Sequence, residues 1–167
     1  MVKLVFAFTF LLVLSPSLPV VDAATCPNAQ AVSPCTCSTM NTNTNLLHLD
    51  CASKSLNDVR IDGILLLFQQ NPDAQLGQLD LNNNPLLTRV PSAIKTFTQL
   101  GNNVQLQQNS ITSIESDAFQ FLDEANPLRY FYLNSNKLTT IAPRAFNGLN
   151  FTPVLILYTV INHCIKS

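Results

Sequence analysis

Two histidines, five cysteines and a thin scatter of carboxylates are the side chains here that could move a proton, hold a metal or form a covalent bond. His48 has Asp50 two residues on, and alternate residues of a strand share a face, so the pair could act as a base and its orienting acid. A nucleophilic serine would have to arrive from elsewhere, and no G-x-S-x-G is present to supply one. His48 therefore reads as a surface residue, and a hydrolase built on it would have to lose activity in His48→Ala. His163-Cys164 is too sparse for a metal ligand set, and Asp123-Glu124 reads as a solvated loop. No glycine loop cradles a phosphate. Cys26, Cys35, Cys37 and Cys51 are clustered, and four cysteines can bind zinc, but they lack C-x2-C spacing. Asn150-Phe151-Thr152 is the only glycosylation sequon, with Pro153 directly behind it. No catalytic residue, no cofactor and no metal is expected.

The first residues set the compartment in which those cysteines work. Lys3 precedes an apolar run from Leu4 to Leu14; Pro16 and Pro19 follow, then Val21, Ala23 and Ala24. A basic start, an apolar stretch and small residues at a cleavage site describe a secretory signal peptide over 1–24, cut near Ala23 or Ala24. The run is shorter than the ~20 apolar residues of a spanning helix, so no membrane span is expected. An exported chain makes the cysteines disulfide candidates, although four cysteines allow three pairings. The mature surface must be built from neutral polar groups, since 11% of the 167 residues are charged against roughly 25% in an average domain. A net charge of −1 with no Lys/Arg block excludes nucleic acid as a partner.

A repeat organises the remainder. Leu128, Phe131, Leu133, Asn136, Leu138 and Ile141, then Ala145-Phe146 and Leu149, follow L-x-x-L-x-L-x-x-N-x-L-x-x-I. The preceding segment gives Val104, Leu106, Asn109, Ile111 and Ile114, then Ala118-Phe119 and Leu122. The earliest gives Leu76, Leu79, Leu81 and Asn84, then Leu86 or Leu87, Val90, Ala93-Ile94 and Phe97. The asparagines Asn84, Asn109 and Asn136 are 25 and then 27 residues apart. Each L-x-L is a short strand with one face in a core shared between repeats, because no repeat can bury its apolar face alone. Each Asn is placed to bond backbone at the turn after its strand, and stacked copies form a ladder. The apolar stretch Ile61–Phe68 fits either a short helix, with Asp62 near its start, or a buried strand.

Cys26-Pro27-x7-Cys35-x-Cys37-x13-Cys51, ending in Leu46-Leu47-His48-Leu49-Asp50-Cys51, would staple a cover over the exposed first repeat. Together with the repeats it resembles extracellular leucine-rich-repeat proteins with an N-terminal cysteine cap, over roughly residues 26–150. That resemblance implies Cys26–Cys37 and Cys35–Cys51 pairing. A narrower likeness, carried by the cap, the LDC ending and the long insert, is to secreted arthropod repeat proteins such as the non-catalytic subunit of a crustacean luciferase; it transfers no luciferase role.

The expected fold is α/β, a short curved leucine-rich-repeat solenoid with a parallel sheet on its concave side. Its parts are a cap over 25–51, an irregular first repeat over 52–75, repeats over 76–150 and an atypical tail over 151–167. The concave face carries three rows: Gln78, Asn103 and Tyr130; His48, Asp80, Gln105 and Tyr132; Asp50, Asn82, Gln107 and Asn134. Tyr130, Tyr132, Asp80 and Gln105 form the expected ligand patch, since tyrosine offers large contact area at low entropy cost. The expected function is a secreted, non-enzymatic binding protein for an extracellular protein or glycan; the alternative is a non-catalytic subunit of a secreted enzyme complex. In the tail, Phe151, Val154 and Ile156 fit a strand, but Thr159 stands where Asn is due. Three accounts of that tail remain: a shortened or mis-spliced longer repeat protein, which is favoured; an improvised closing strand; or an open end covered by a partner subunit, with Cys164 bonded to it.

Overall fold

The computed structural model describes residues 24–40, 43–71, 75–96, 100–119, 128–147 and 154–156. The signal-peptide run, Asn150, Leu122, Leu149, Asp123-Glu124, His163 and Cys164 lie outside these.

The cysteine-rich start folds as a short helix α1 (Ala29–Val32), strand β1 (Thr36–Met40) and strand β2 (Asn43–Asp50). Disulfides Cys26–Cys37 and Cys35–Cys51 hold it together. β1 runs antiparallel to β2 and forms the edge of the sheet. From β2 onward every pairing in this sheet is parallel: β3 (Leu76–Asp80), β4 (Leu100–Gln105), β6 (Tyr130–Tyr132) and β8 (Val154–Ile156) follow in sequence order. Two shorter parallel strands, β5 (Ser113–Ile114) and β7 (Thr140–Ile141), form a second sheet, which Arg89 extends through a bridge to Ser113.

Register explains the core. Leu49, Leu79, Val104 and Phe131 stand in one row across the sheet, and all are buried. Leu81, Leu106 and Leu133, two residues further on, are fully buried too. Period-2 alternation therefore turns one face of each strand into a common interior. Phe119 meets Phe131 edge-on, with ring centroids 4.8 Å apart, and so closes that interior from behind. Of the two leucines offered at one position, Leu87 is buried and Leu86 is 55% exposed.

The stretch between Cys51 and Leu76 resolves as helix α2 (Asp58–Gln69). Asn57 caps it, accepting from the Arg60 N–H at 2.9 Å. Ile61, Ile64, Leu65 and Phe68 fall at i, i+3, i+4 and i+7, and all four are buried. The helix starts three residues before the apolar run, because its N-terminal signal is polar (Asn57-Asp58) and hydrophobicity cannot mark it. Asp62 is thus in the second turn, where it reaches the next coil. It accepts from Arg89 Nη2 (2.7 Å), Ser92 Oγ (3.0 Å) and the Ala93 N–H (2.9 Å), which fixes the short 3-10 helix Ser92–Thr96 beside α2. Asp58 likewise accepts from the Thr88 N–H and hydroxyl. Arg60 bonds the Ser33 carbonyl and ties α2 back to the cysteine-stapled segment.

Two register positions differ from the sequence reading. His48 pairs with Gln78 and Asp50 with Asp80, each one row earlier than expected. Cys51 takes the position that Leu81 holds in the next strand: Leu49 pairs with Leu79, and the Cys51 N–H bonds the Asp80 carbonyl as the Leu81 N–H bonds that of Gln105. At the other end Leu155 pairs with Phe131, where Val154 was expected.

Candidate functional site

The three asparagines sit at equivalent points of successive coils. Asn84 Nδ2 donates to the Leu81 and Cys51 carbonyls, both at 2.9 Å. Asn109 Nδ2 donates to Leu106 and Leu81, and Asn136 Nδ2 to Leu133 and Leu106. Each amide thus bonds its own coil at i−3 and the coil before it. The oxygens accept backwards: Asn84 Oδ1 from the Lys54 and Leu56 N–H groups, Asn109 Oδ1 from Asn84, Asn136 Oδ1 from Ile111. Donating to two carbonyls and accepting from an N–H needs an amide; a carboxylate lacks the donor and an alkyl lacks both. The residue before each asparagine (Asn83, Gln108, Ser135) has a φ between 57° and 59°, the left-handed turn that aims the amide inward. These bonds set the strand spacing and so position the open face.

On that face stand His48, Gln78, Asn103 and Tyr130 in one row and Asp50, Asp80, Gln105 and Tyr132 in the next. Asn82, Gln107 and Asn134 follow just past the strand ends, where their backbones bond coil to coil: the Ser53 N–H to Asn82, Asn83 to Gln107, and Gln108 to Asn134. The Tyr130 and Tyr132 rings are stacked, 6.5 Å apart and within 13° of parallel, and Tyr130 is 44% exposed. Asp80 accepts from His48 Nε2 at 2.9 Å and from Gln78 Nε2 on both oxygens. Gln107 Nε2 donates to Gln105 Oε1. Asn103 Oδ1 and Gln107 Oε1 are enclosed yet have no hydrogen-bond partner.

Sequence places His48 beside Asp80 in one row but offers Asp50 as its acid; in the structure His48 stands one row away, beside Gln78, and reaches Asp80 diagonally. A serine does reach this row, since Ser38 of β1 pairs with His48. His48 Nε2 is already engaged with Asp80, and no hydrogen bond joins Ser38 to His48 among the described residues. The arrangement supplies an imidazole–carboxylate pair on an open sheet, without the oriented nucleophile of acyl transfer. Among the described residues no group of three or more His, Cys, Asp or Glu could hold a metal, and no helix is long and apolar enough to cross a membrane.

Behind the sheet, Asp117 joins the last two coils. It accepts from Arg144 Nη2 at 2.6 Å, Asn147 Nδ2 and Ser116 Oγ. Desolvation pushes its carboxyl upward, but the Asn147, Ser116 and Arg144 hydrogen bonds and the Arg144 charge prevail and hold it below the usual value.

Residues 102–152 match a family model described as Leucine rich repeat, and residues 75–97 a second, Leucine Rich Repeat. Comparison with curated proteins and with solved structures found no significant match, so nothing carries the narrower likeness to a luciferase subunit.

Proposed function

We propose that this leucine-rich-repeat chain is a secreted, non-enzymatic binding protein that recognises an extracellular protein or glycan through the face of its parallel sheet. Repeats of this kind typically serve as protein-interaction modules, which sets the class. The observation that carries the reading is the stacked Tyr130–Tyr132 pair, Tyr130 exposed and Tyr132 half-buried, on an otherwise polar face. Rigid aromatics of this kind act as anchors at binding hot spots. Two disulfides in the first coil fit an oxidising compartment. In this reading 25–51 is the cap, the coils form a short curved solenoid with this face concave, and Gln78, Asp80, Asn82, Asn103, Gln105, Gln107 and Asn134 surround the tyrosines. The test is a pull-down from extracellular fluid with partners identified by mass spectrometry. Tyr130→Ala/Tyr132→Ala should weaken capture at least roughly tenfold; undiminished capture refutes the reading.

A second reading, a non-catalytic subunit whose partner covers the last coil, is favoured by Ile141. This residue is 39% exposed, where Ile114, at the same place one coil earlier, is 1% exposed. Co-purification of a catalytic chain that is lost in Ile141→Asp supports it; its retention in Ile141→Asp counts against it.

A further inference from the structure

Granting the sheet-face reading, the geometry points to the chemistry of its ligand: we infer that the face takes an arginine side chain of a partner protein, held between Asp80 and the tyrosine pair. The charge pattern comes first. Asp50 and Asp80 are direct neighbours on adjacent strands, and like charges placed opposite one another across a sheet are unfavourable. The three rows of the face contain no Lys or Arg, so apart from His48 the two carboxylates are met there only by neutral donors, the Ala52 N–H at Asp50 and Gln78 Nε2 at Asp80. A cation from outside offsets their charge.

Hydrogen bonding comes second. Asn103 Oδ1 and Gln107 Oε1 are shut off from water and unpaired. An enclosed acceptor without a donor is a standing cost to the free protein, and a ligand donor that takes the place of the covering neighbour removes it. Asn103 stands in the strand between Gln78 and Tyr130, so its oxygen lies on the path from Asp80 to the tyrosines. Two strand spacings make that path roughly 10 Å, within the span of an extended arginine and its adjoining backbone. A guanidinium has five donors and no acceptor in a planar fork, and it stacks on aromatic faces. It therefore suits a carboxylate, orphaned oxygens and parallel Tyr rings at once. An ammonium cannot use the rings as a planar stack, and a neutral sugar leaves the charge unanswered.

The mature chain is titrated with argininamide and, separately, with citrullinamide, its uncharged near-isostere, lysinamide and neutral disaccharides, with amide NMR shifts as readout. Argininamide should move the resonances of residues 78–82, 103–107 and 130–134, more strongly than lysinamide, with citrullinamide nearly silent. Asp50→Asn/Asp80→Asn, which keeps shape and removes charge, should weaken it at least roughly tenfold, and so should Tyr130→Phe/Tyr132→Ala. Equal shifts from citrullinamide, insensitivity to the Asn variants, or no shift on this face with argininamide at tens of millimolar overturns the arginine assignment. A disaccharide that moves the same resonances in its place leaves the sheet-face reading standing with a glycan ligand. That reading falls separately, if a captured partner is retained by Tyr130→Ala/Tyr132→Ala.

Discussion

Asn84→Ala should be the most damaging single deletion in the asparagine column, and its cost follows from the bonds at that point. Besides a long contact to the Asn82 carbonyl at 3.4 Å, the side chain makes four backbone bonds, to Cys51 and Leu81 as donor and from Lys54 and Leu56 as acceptor. Two of these losses are cushioned. The Leu81 carbonyl keeps Asn109 Nδ2 at 3.1 Å, and Lys54 is exposed, so its N–H can turn to water. The Leu56 N–H and the Cys51 carbonyl are buried and lose this partner. Two orphaned groups at ~1–3 kcal/mol each give a loss of about 3 kcal/mol. Asn109→Ala orphans chiefly the Asn84 N–H, since Leu81 and Leu106 keep Asn84 and Asn136 as donors; it should cost about 2 kcal/mol. Asn136 is only half-buried and should cost about 1 kcal/mol. Asn84→Asp should exceed Asn84→Ala, because a carboxylate turned toward two carbonyls repels them. The assay is urea unfolding of the disulfide-intact chain, followed by circular dichroism, with Asn134→Ala as the control expected within about 0.5 kcal/mol of wild type. An Asn84→Ala variant no less stable than Asn134→Ala would refute the reasoning.

Five other substitutions probe four separate joints, each read by the same unfolding assay. A Cβ at Gly77 would meet Met40 Sδ and stand 2.9 Å from Leu46 Cβ. The sulfur can swing away but the Leu46 stem cannot, so Gly77→Ala should destabilise by about 1–3 kcal/mol. Leu87→Ala should cost about 2–5 kcal/mol, whereas exposed Leu86→Ala should stay within about 0.5 kcal/mol; similar losses at both would contradict the packing described. Asp62→Ala removes three hydrogen bonds from the 3-10 segment and Arg89 and should cost about 2 kcal/mol, with faster hydrogen exchange at Ala93. Asp117 titrates below its ordinary value, so its contribution is present above the unfolded value near pH 4 and is lost as pH falls through the lower folded value. The gap in stability between wild type and Asp117→Asn should therefore be open at pH 7 and close in acid, and a gap that widens in acid contradicts the assignment.

Much of this fold was legible because its signals are local and repeated. The paired leucines at 79 and 81, and their counterparts at 104/106 and 131/133, mark both the strands and the buried face, since a two-residue period has one physical meaning. The asparagines were legible for the same reason: one chemical demand recurs in each coil. Helix α2 was harder. Its apolar residues fit a helix or a strand, and its start is set by Asn57 capping Arg60, which is a polar contact outside the apolar run. Rows at the two ends shifted by one because register there depends on pairing with a neighbour. Cys51, rather than Leu49, takes the row of Leu81, which moves His48 and Asp50, and β8 pairs Leu155 rather than Val154 with Phe131. His48 and Asp80, 32 residues apart, share a row in the sequence pattern, but the pattern does not show that they bond diagonally with Gln78 beside His48.

Hydrogen exchange with and without the captured extracellular partner tests the account at its centre. Protection should appear on residues 76–82, 100–107 and 130–134, the strands that present the tyrosines and Asp80. Protection confined to α2 and the 3-10 segment, with those strands unchanged, would contradict it.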